Sequence, residues 1–218
     1  MSGGKSVFAG AILELARHFN VHLSPEQLVT LADFAGLVAT WSKRTSLVST
    51  RVASSPDSLA EVLFADAFVL AGSIVPNAAR VVDVGSGVGA PILPLLILRA
   101  DLSAVLIEPR RKRVAFLNTA IGLSDLPKRA TVLAAKVSTS AVPDGLAVPF
   151  DVAISRATFP PKEWLSLGQK LARQVIVLAA QEAVLPRDHE RSMWCREYVL
   201  PSSGAPRVAV AFDSGLEA

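Results

Sequence analysis

The chain has 218 residues, of which 51% are hydrophobic and 19% are charged, a composition that excludes an intrinsically disordered protein. The formal net charge of +3 is mildly basic, so it permits a polyanionic partner without requiring one. The single cysteine excludes an intrachain disulfide, and the three histidines show no metal-ligand pattern, so no metal site is predicted.

No apolar run is long enough to cross a bilayer, since the longest uncharged ones cover only residues 67–79 and 84–98. Residues 1–5 carry no signal-peptide cleavage pattern. We therefore expect a cytoplasmic protein without a membrane partner, and a monomer.

Three helices are predicted ahead of the first strand, over about residues 6–19, 24–41 and 55–72. Ser24 is predicted to cap the second helix and to form a capping box with Gln27. The polar stretch 42–54 is predicted to be a loop. We expect residues 1–78 to form a helical cap on a single compact core made by residues 79–218.

From residue 79 onward, strands and helices alternate as they do in parallel sheets. The predicted strands cover about residues 80–84, 103–108, 130–135, 150–155 and 174–179, with helices at 91–99, 110–122 and 161–171. Gly122 is predicted to end its helix in a left-handed conformation. Segments 194–200 and 207–212 predict an antiparallel hairpin. This α/β layout is that of the Rossmann-like S-adenosylmethionine methyltransferases, a mostly parallel sheet closed by a hairpin.

The first predicted strand ends in Asp83 and runs into Gly85, Gly87 and Gly89 before the next helix. Such a turn lets the backbone approach a cofactor closely. The same residues fit a dinucleotide fingerprint as well as an S-adenosylmethionine site. Asp83 favours S-adenosylmethionine, because a carboxylate would repel a pyrophosphate but attract a sulfonium and an ammonium.

Glu108 ends the second predicted strand, 19 positions after Gly89, where a carboxylate can accept both ribose hydroxyls of a cofactor. The alternative is a solvent-exposed acid paired with the basic run 110–113. The predicted cofactor-binding residues are Asp83, Gly85, Ser86, Gly87, Gly89, Glu108, Ala135, Lys136 and Val137.

Ser155 and Arg156 follow the fourth predicted strand, at the sheet edge where ligands bind, and are the predicted catalytic residues. Arg156 could instead bond helix carbonyls or a nearby acid. Two basic runs flank the predicted cofactor site and are expected to contact the substrate, although such runs are often only solvated helix faces. The residues concerned are Lys43, Arg44, Arg51, Arg110, Arg111 and Arg113.

Three motifs resemble the bacterial small-subunit ribosomal RNA guanine-N7 methyltransferases, the glucose-inhibited division protein B family. Residues 90–95 (Ala-Pro-Ile-Leu-Pro-Leu) resemble the family's Phe/Leu-Pro-Gly-Ile/Leu-Pro-Leu. Residues 112–117 carry its Lys-Arg-x-x-Phe-Leu, and residues 155–157 its Ser-Arg-Ala. The resemblance covers roughly residues 31–180. It implies methyl transfer from S-adenosylmethionine to guanine N7, with ribosomal RNA or the small ribosomal subunit as partner.

The chain also departs from the family pattern. Val62 and Leu63 stand where the family has Arg-His, and Ile92 stands where it has glycine. Residues 136–138 (Lys-Val-Ser) replace Arg-Ala-Glu. Two alternatives therefore stay open: a methyltransferase of the same fold with a small-molecule acceptor, and a non-catalytic cofactor-binding protein associated with the ribosome.

Overall fold

The computed structural model describes residues 3–73, 79–122, 126–138, 142–143, 146–180 and 192–216, with side chains from residue 7 onward. The helices among them are α1 (Gly3–His18), α2 (Pro25–Ser42), α3 (Thr50–Ala53), α4 (Pro56–Ala71), α5 (Ile92–Leu98), α6 (Arg111–Ile121) and α7 (Pro161–Gly168). The strands are β1 (Arg80–Val84), β2 (Ser103–Ile107), β3 (Ala130–Leu133), β4 (Phe150–Arg156), β5 (Ala172–Ala180), β6 (Ser192–Val199) and β7 (Pro206–Asp213). A short 3-10 turn covers Leu126–Lys128.

The strands form one sheet in the order β3-β2-β1-β4-β5-β7-β6. Strands β1 to β5 pair in parallel, whereas β7 pairs antiparallel with both β5 and β6. The predicted Rossmann-like fold with its terminal hairpin is therefore confirmed. The strand order reverses between β1 and β4, and open α/β sheets bind ligands at the carboxyl ends of the strands beside such a switch point.

Helices cover both faces of the sheet, which explains the near-continuous apolar sequence of its central strands. On one face, Leu31 of α2 and Leu63 of α4 are completely buried in the same apolar cluster as Val81 of β1. On the other face, Trp164 of α7 packs in a second cluster and donates from Nε1 to the Ile176 carbonyl at 2.7 Å. The N-terminal helices thus share the core of the sheet.

The structure does not describe residues 74–78, where the predicted domain boundary lies, so this boundary stays a prediction. No helix in the described ranges has both the length and the hydropathy needed to span a membrane.

The predicted capping box at the start of α2 is confirmed by reciprocal hydrogen bonds. The backbone N–H of Gln27 donates to Ser24 Oγ at 3.1 Å, and the backbone N–H of Ser24 donates to Gln27 Oε1 at 2.9 Å. The Nε2 group of Gln27 also donates to the carbonyls of Ile97 and Leu98, at 3.3 Å each. The Gln27 side chain therefore helps to cap the start of α2 and also satisfies two carbonyls at the end of α5.

Two local predictions are wrong. The stretch 42–54 contains the helical turn α3, which Ser49 caps by accepting from the Val52 N–H at 3.3 Å. Gly122 ends α6 with φ −68°, in the right-handed region, because its N–H still bonds helix carbonyls. Its role as a helix cap therefore does not depend on left-handed geometry.

Candidate active site

The glycine turn (residues 85–89) follows β1 and brings its three predicted glycines together. Gly85, Gly87 and Gly89 have φ values of +75°, +57° and +79°, a region that strains every other residue type. A Cβ atom at Gly85 would lie 2.3 Å from Thr158 Oγ1, whereas one at Gly87 would meet nothing closer than Arg113 Nη1 at 3.6 Å. The backbone at Gly87 is thus the part of the turn open to a ligand.

The turn is held by hydrogen bonds to the end of β2. The N–H groups of Gly85 and Ser86 both donate to the Ile107 carbonyl, at 2.8 and 3.1 Å. The Ser86 hydroxyl donates back to the Asp83 carbonyl at 3.0 Å. Ser86 therefore stabilises the turn, and its buried side chain does not face solvent.

Asp83 is buried at the end of β1, with only 2% of its surface exposed. Within the described part of the chain, its Oδ2 atom has no hydrogen-bond partner. Burial raises the pKa of Asp83 to about 7, against the opposing effects of the Ser86 hydrogen bond and the Arg156 charge. An unpartnered buried carboxylate oxygen is costly unless a donor or a cation reaches it. Asp83 therefore suits a cationic ligand.

Glu108 is also buried and accepts two backbone hydrogen bonds, from the Gly87 N–H and from the Arg110 N–H, at 2.9 Å each. Arg113 Nη1 lies 3.9 Å from its Oε2 atom. The solvent-exposed alternative considered for Glu108 is therefore wrong, although the nearby arginine is present. Each carboxylate oxygen has two lone pairs, so each can still accept a ligand hydroxyl.

The predicted cofactor-binding segment 135–137 follows β3 at the same sheet edge. The Ala135 N–H donates to the Leu133 carbonyl at 3.0 Å, Val137 is buried, and Lys136 is exposed. Val137 belongs to the apolar cluster that contains Ile107 of β2. The three strand ends that carry the predicted cofactor residues therefore lie side by side.

The two predicted catalytic residues at the end of β4 make contacts within the protein. The buried Ser155 hydroxyl donates to the Val84 carbonyl at 2.8 Å, which joins β4 to β1. Arg156 Nη1 donates to the Val62 carbonyl at 2.6 Å and to Asp66 Oδ2 at 3.1 Å. These are the helix carbonyl and nearby acid of the alternative interpretation, and they leave Nε and Nη2 without a partner among the described residues.

Beside Arg156 lies a cavity of about 450 Å³ that sequence reasoning missed, here termed the hairpin cavity. It is bounded by α4, by the ends of β4 and β5, and by the β6–β7 hairpin. Its polar and aromatic lining consists of Glu61, Asp66, Arg156, Phe159, Tyr198 and Arg207. The available sequence signal was the position of Glu61 and Asp66 among the apolar residues of α4.

The basic residues predicted to contact the substrate divide into two groups. Arg44 and the run 110–113 surround a cavity of about 380 Å³, termed the basic groove, which has five cationic side chains. Lys43 and Arg51 are exposed but do not line it. Because Arg113 also lies next to Gly87, the basic groove adjoins the glycine turn. This arrangement attracts a polyanion.

The family model described as rRNA small subunit methyltransferase G matches residues 27–184. Two proteins named ribosomal RNA small subunit methyltransferase G are similar in sequence. The one from Acidiphilium cryptum is 36% identical over 63% of this chain, and the one from Anaeromyxobacter sp. is 30% identical over 67%. The matches span 62% and 65% of the length of those relatives.

Solved structures show the same fold. A predicted O-methyltransferase from Agrobacterium tumefaciens has a TM-score of 0.53 at 18% identity, covering 69% of this chain and 81% of its own. The precorrin-6y C5,15-methyltransferase from Geobacter metallireducens has a TM-score of 0.50 at 13% identity, covering 68% and 87%. At these identities the likeness concerns the fold alone.

Proposed function

Because the chain belongs to the rRNA small subunit methyltransferase G family, we propose that it transfers a methyl group from S-adenosylmethionine to guanine N7 in small-subunit ribosomal RNA. The observation that carries this proposal is the glycine turn, with the two buried carboxylates of Asp83 and Glu108 beside it. The small ribosomal subunit is then the partner, the cytoplasm the place of action, and a monomer sufficient for activity.

The hydrogen bonds of the glycine turn favour S-adenosylmethionine over a dinucleotide. A dinucleotide site offers backbone N–H groups to the pyrophosphate. Here four such groups donate inside the protein, two to the Ile107 carbonyl, one to Glu108 and one to the Ser86 carbonyl. They are the N–H groups of Gly85, Ser86, Gly87 and Gly89. The ligand instead meets two carboxylates, which suit an ammonium and ribose hydroxyls.

The proposed contacts follow the order of the strands. Asp83 and the glycine turn, including Ser86, hold the methionine end of the cofactor. Glu108 accepts from the ribose hydroxyls, since each of its oxygens has a lone pair to spare. The segment of Ala135, Lys136 and Val137 flanks the adenine, with buried Val137 as the apolar contact.

When bound, S-adenosylmethionine supplies an electrophilic methyl group, which N7 accepts with its own lone pair while the electron pair of the broken S–C bond stays on sulfur. N7 of guanine carries no proton, so the residues need not remove one and no general base is required. Arg156 orients the acceptor through Nε and Nη2, an orientation effect. Ser155 supports this by fixing the end of β4 against β1.

The basic groove binds the phosphates of the RNA in this proposal. Its five cationic side chains adjoin the glycine turn through Arg113, so a bound strand passes next to the cofactor. Lys43 and Arg51 lie outside the groove and extend the contact along the RNA. Binding of this kind weakens steeply with salt, because binding to phosphates releases counterions.

The proposed function is tested by calorimetry with S-adenosylmethionine and with NAD, followed by transfer of labelled methyl groups to unmethylated small ribosomal subunits. We expect binding of S-adenosylmethionine, no binding of NAD, and label in the RNA. Tight NAD binding without S-adenosylmethionine binding contradicts the cofactor assignment. Label incorporation also excludes a non-catalytic cofactor-binding protein.

A methyltransferase with a small-molecule acceptor is the second candidate. The hairpin cavity favours it, because about 450 Å³ lies within the range of pockets for small ligands. Transfer to a metabolite extract but never to RNA would establish this alternative over the first.

A further inference from the structure

The hairpin cavity lies next to the glycine turn. Thr158 separates the two, since its Oγ1 atom would be 2.3 Å from a Cβ atom at Gly85. The same hydroxyl donates to the Arg156 carbonyl at 3.3 Å, and residues 156, 157 and 159 line the cavity. A group held in this cavity is therefore adjacent to the position proposed for the reactive end of the cofactor.

Three side chains join the walls of the cavity in a continuous network. Arg156 of β4 donates to Asp66 of α4 at 3.1 Å, and the Tyr198 hydroxyl of β6 donates to the other oxygen of Asp66. Asp66 therefore holds Arg156 on one side and is itself held by Tyr198 on the other. With 26% of its side chain exposed, Arg156 can still donate into the cavity from Nε and Nη2.

Within the function proposed above, we propose that the hairpin cavity receives the acceptor guanine and that Tyr198 is a positioning residue, which holds Arg156 in place through Asp66. Tyr198 lies outside residues 27–184, to which the family model matches. The terminal hairpin would thus complete the acceptor pocket from a part of the chain that carries no family motif.

The chemistry of the lining suits guanine in particular. The free nitrogens of Arg156 are donors, and the O6 atom of guanine accepts, whereas adenine presents an amino donor at the same position. The Glu61 carboxylate also lines the cavity, but both of its oxygens already accept from Ser202, so it has no role in this recognition. Phe159 supplies an apolar ring for stacking and packs on Trp164 with ring centroids 6.2 Å apart.

Tyr198 is well placed for this role. It keeps its proton across the ordinary pH range, because burial and the Asp66 charge raise its pKa far above the usual value. Its ring packs edge-on against Phe19, with centroids 5.9 Å apart. A phenylalanine at this position keeps the packing and loses only the hydrogen bond to Asp66. Arg156 then keeps its bonds to Val62 and Asp66, but Asp66 is no longer held from its other side.

The test compares Tyr198→Phe with Ser202→Ala in methyl transfer to unmethylated small ribosomal subunits. Ser202 donates from its hydroxyl to Glu61 at 2.6 Å, so its variant also removes one hydroxyl bonded to a buried acid, but away from Arg156. We expect kcat to fall about tenfold in Tyr198→Phe, the loss typical of one hydrogen bond to a charged group. The affinity for S-adenosylmethionine should stay close to wild type, and Ser202→Ala should keep its kcat. The Tm should fall to a similar extent in both variants, because each removes one hydroxyl donor from a buried acid.

A double-mutant cycle with Asp66→Asn separates positioning from general loosening of the hairpin. If Tyr198 acts through Asp66, its substitution costs little further kcat in the Asp66→Asn background. An unchanged kcat in Tyr198→Phe, or an equal loss in Ser202→Ala, overturns the inference while wild-type activity upholds the proposed function. An inactive wild-type protein that binds S-adenosylmethionine overturns both.

Discussion

The backbone N–H of Gly87 donates to Oε2 of Glu108 at 2.9 Å, which ties the glycine turn after β1 to the residue that follows β2. This hydrogen bond fixes the turn and, at the same time, removes an N–H group from the set that could bind a phosphate. It also keeps a buried carboxylate next to the open backbone of Gly87. The same hydrogen bond therefore stabilises the turn and selects a cofactor rich in donors.

Replacement of Glu108 tests this selection. In Glu108→Gln, one carboxylate oxygen becomes an amide N–H₂ group, which cannot accept from Gly87, Arg110 or a ribose. We expect the affinity for S-adenosylmethionine to fall at least about tenfold, since each hydrogen bond to a charged group is worth about 1.5–3 kcal/mol. Calorimetry measures the change, and Glu163→Gln, at an exposed acid of α7, is the matched control. Equal affinities for the two variants would contradict a ribose contact.

Asp83 should make cofactor binding depend on pH. Burial raises its pKa to about 7, well above the usual range of an aspartate, so the free protein holds the proton below pH 7 and must release it to bind a cation. Affinity should therefore decrease by up to about tenfold for each pH unit below 7 and level off above it. Calorimetry at several pH values on both sides of about 7 resolves this slope.

The control is Asp83→Asn, which binds more weakly above pH 7 and lacks this slope. Because the ligand's own titration is common to both proteins, the difference between their profiles isolates Asp83. Parallel profiles would show that Asp83 does not face the cation.

Gly85 is expected to be needed for its lack of a side chain as well as for its backbone conformation. Gly204 has a similar φ, +65° against +75°, but a Cβ atom there would meet open space. Gly204→Ala should lose about 1–2 kcal/mol of unfolding free energy, the cost of the left-handed conformation. Gly85→Ala should lose clearly more, because its Cβ atom would clash with Thr158. Urea denaturation measures both, and equal losses would argue against close packing at Thr158.

The basic groove should control the salt dependence of RNA binding. Alanine substitution of both Arg44 and Arg111 should weaken binding to small-subunit RNA. It should also make the slope of log affinity against log salt concentration less negative, by about 0.7–0.9 for each phosphate that is no longer neutralised. Lys162→Ala, at an exposed residue of α7, serves as the control. Titrations at several salt concentrations give the slopes. An unchanged slope in the double variant would place the RNA elsewhere.

Much of this site could be predicted because its signals are local. Asp83 and Gly85 stand in one short stretch, and Glu108 follows the next strand, so parallel pairing brings them together. The hydrogen bond between Tyr198 and Asp66 spans 132 positions and depends on where the terminal hairpin packs, which no motif indicates. The position of Arg156 at a strand end could also be predicted from the sequence. Its hydrogen bond to Asp66 could not, because that bond depends on how α4 packs against the sheet.

The identity of the methylated nucleoside tests the proposed methylation of guanine N7 directly. Unmethylated small ribosomal subunits are incubated with the protein and labelled S-adenosylmethionine, and the RNA is then digested to nucleosides that are identified by mass spectrometry. We expect the label to appear as 7-methylguanosine, at one guanine whose position is then mapped in the RNA. Label in any other nucleoside, or no label in RNA from a protein that binds S-adenosylmethionine, would contradict it.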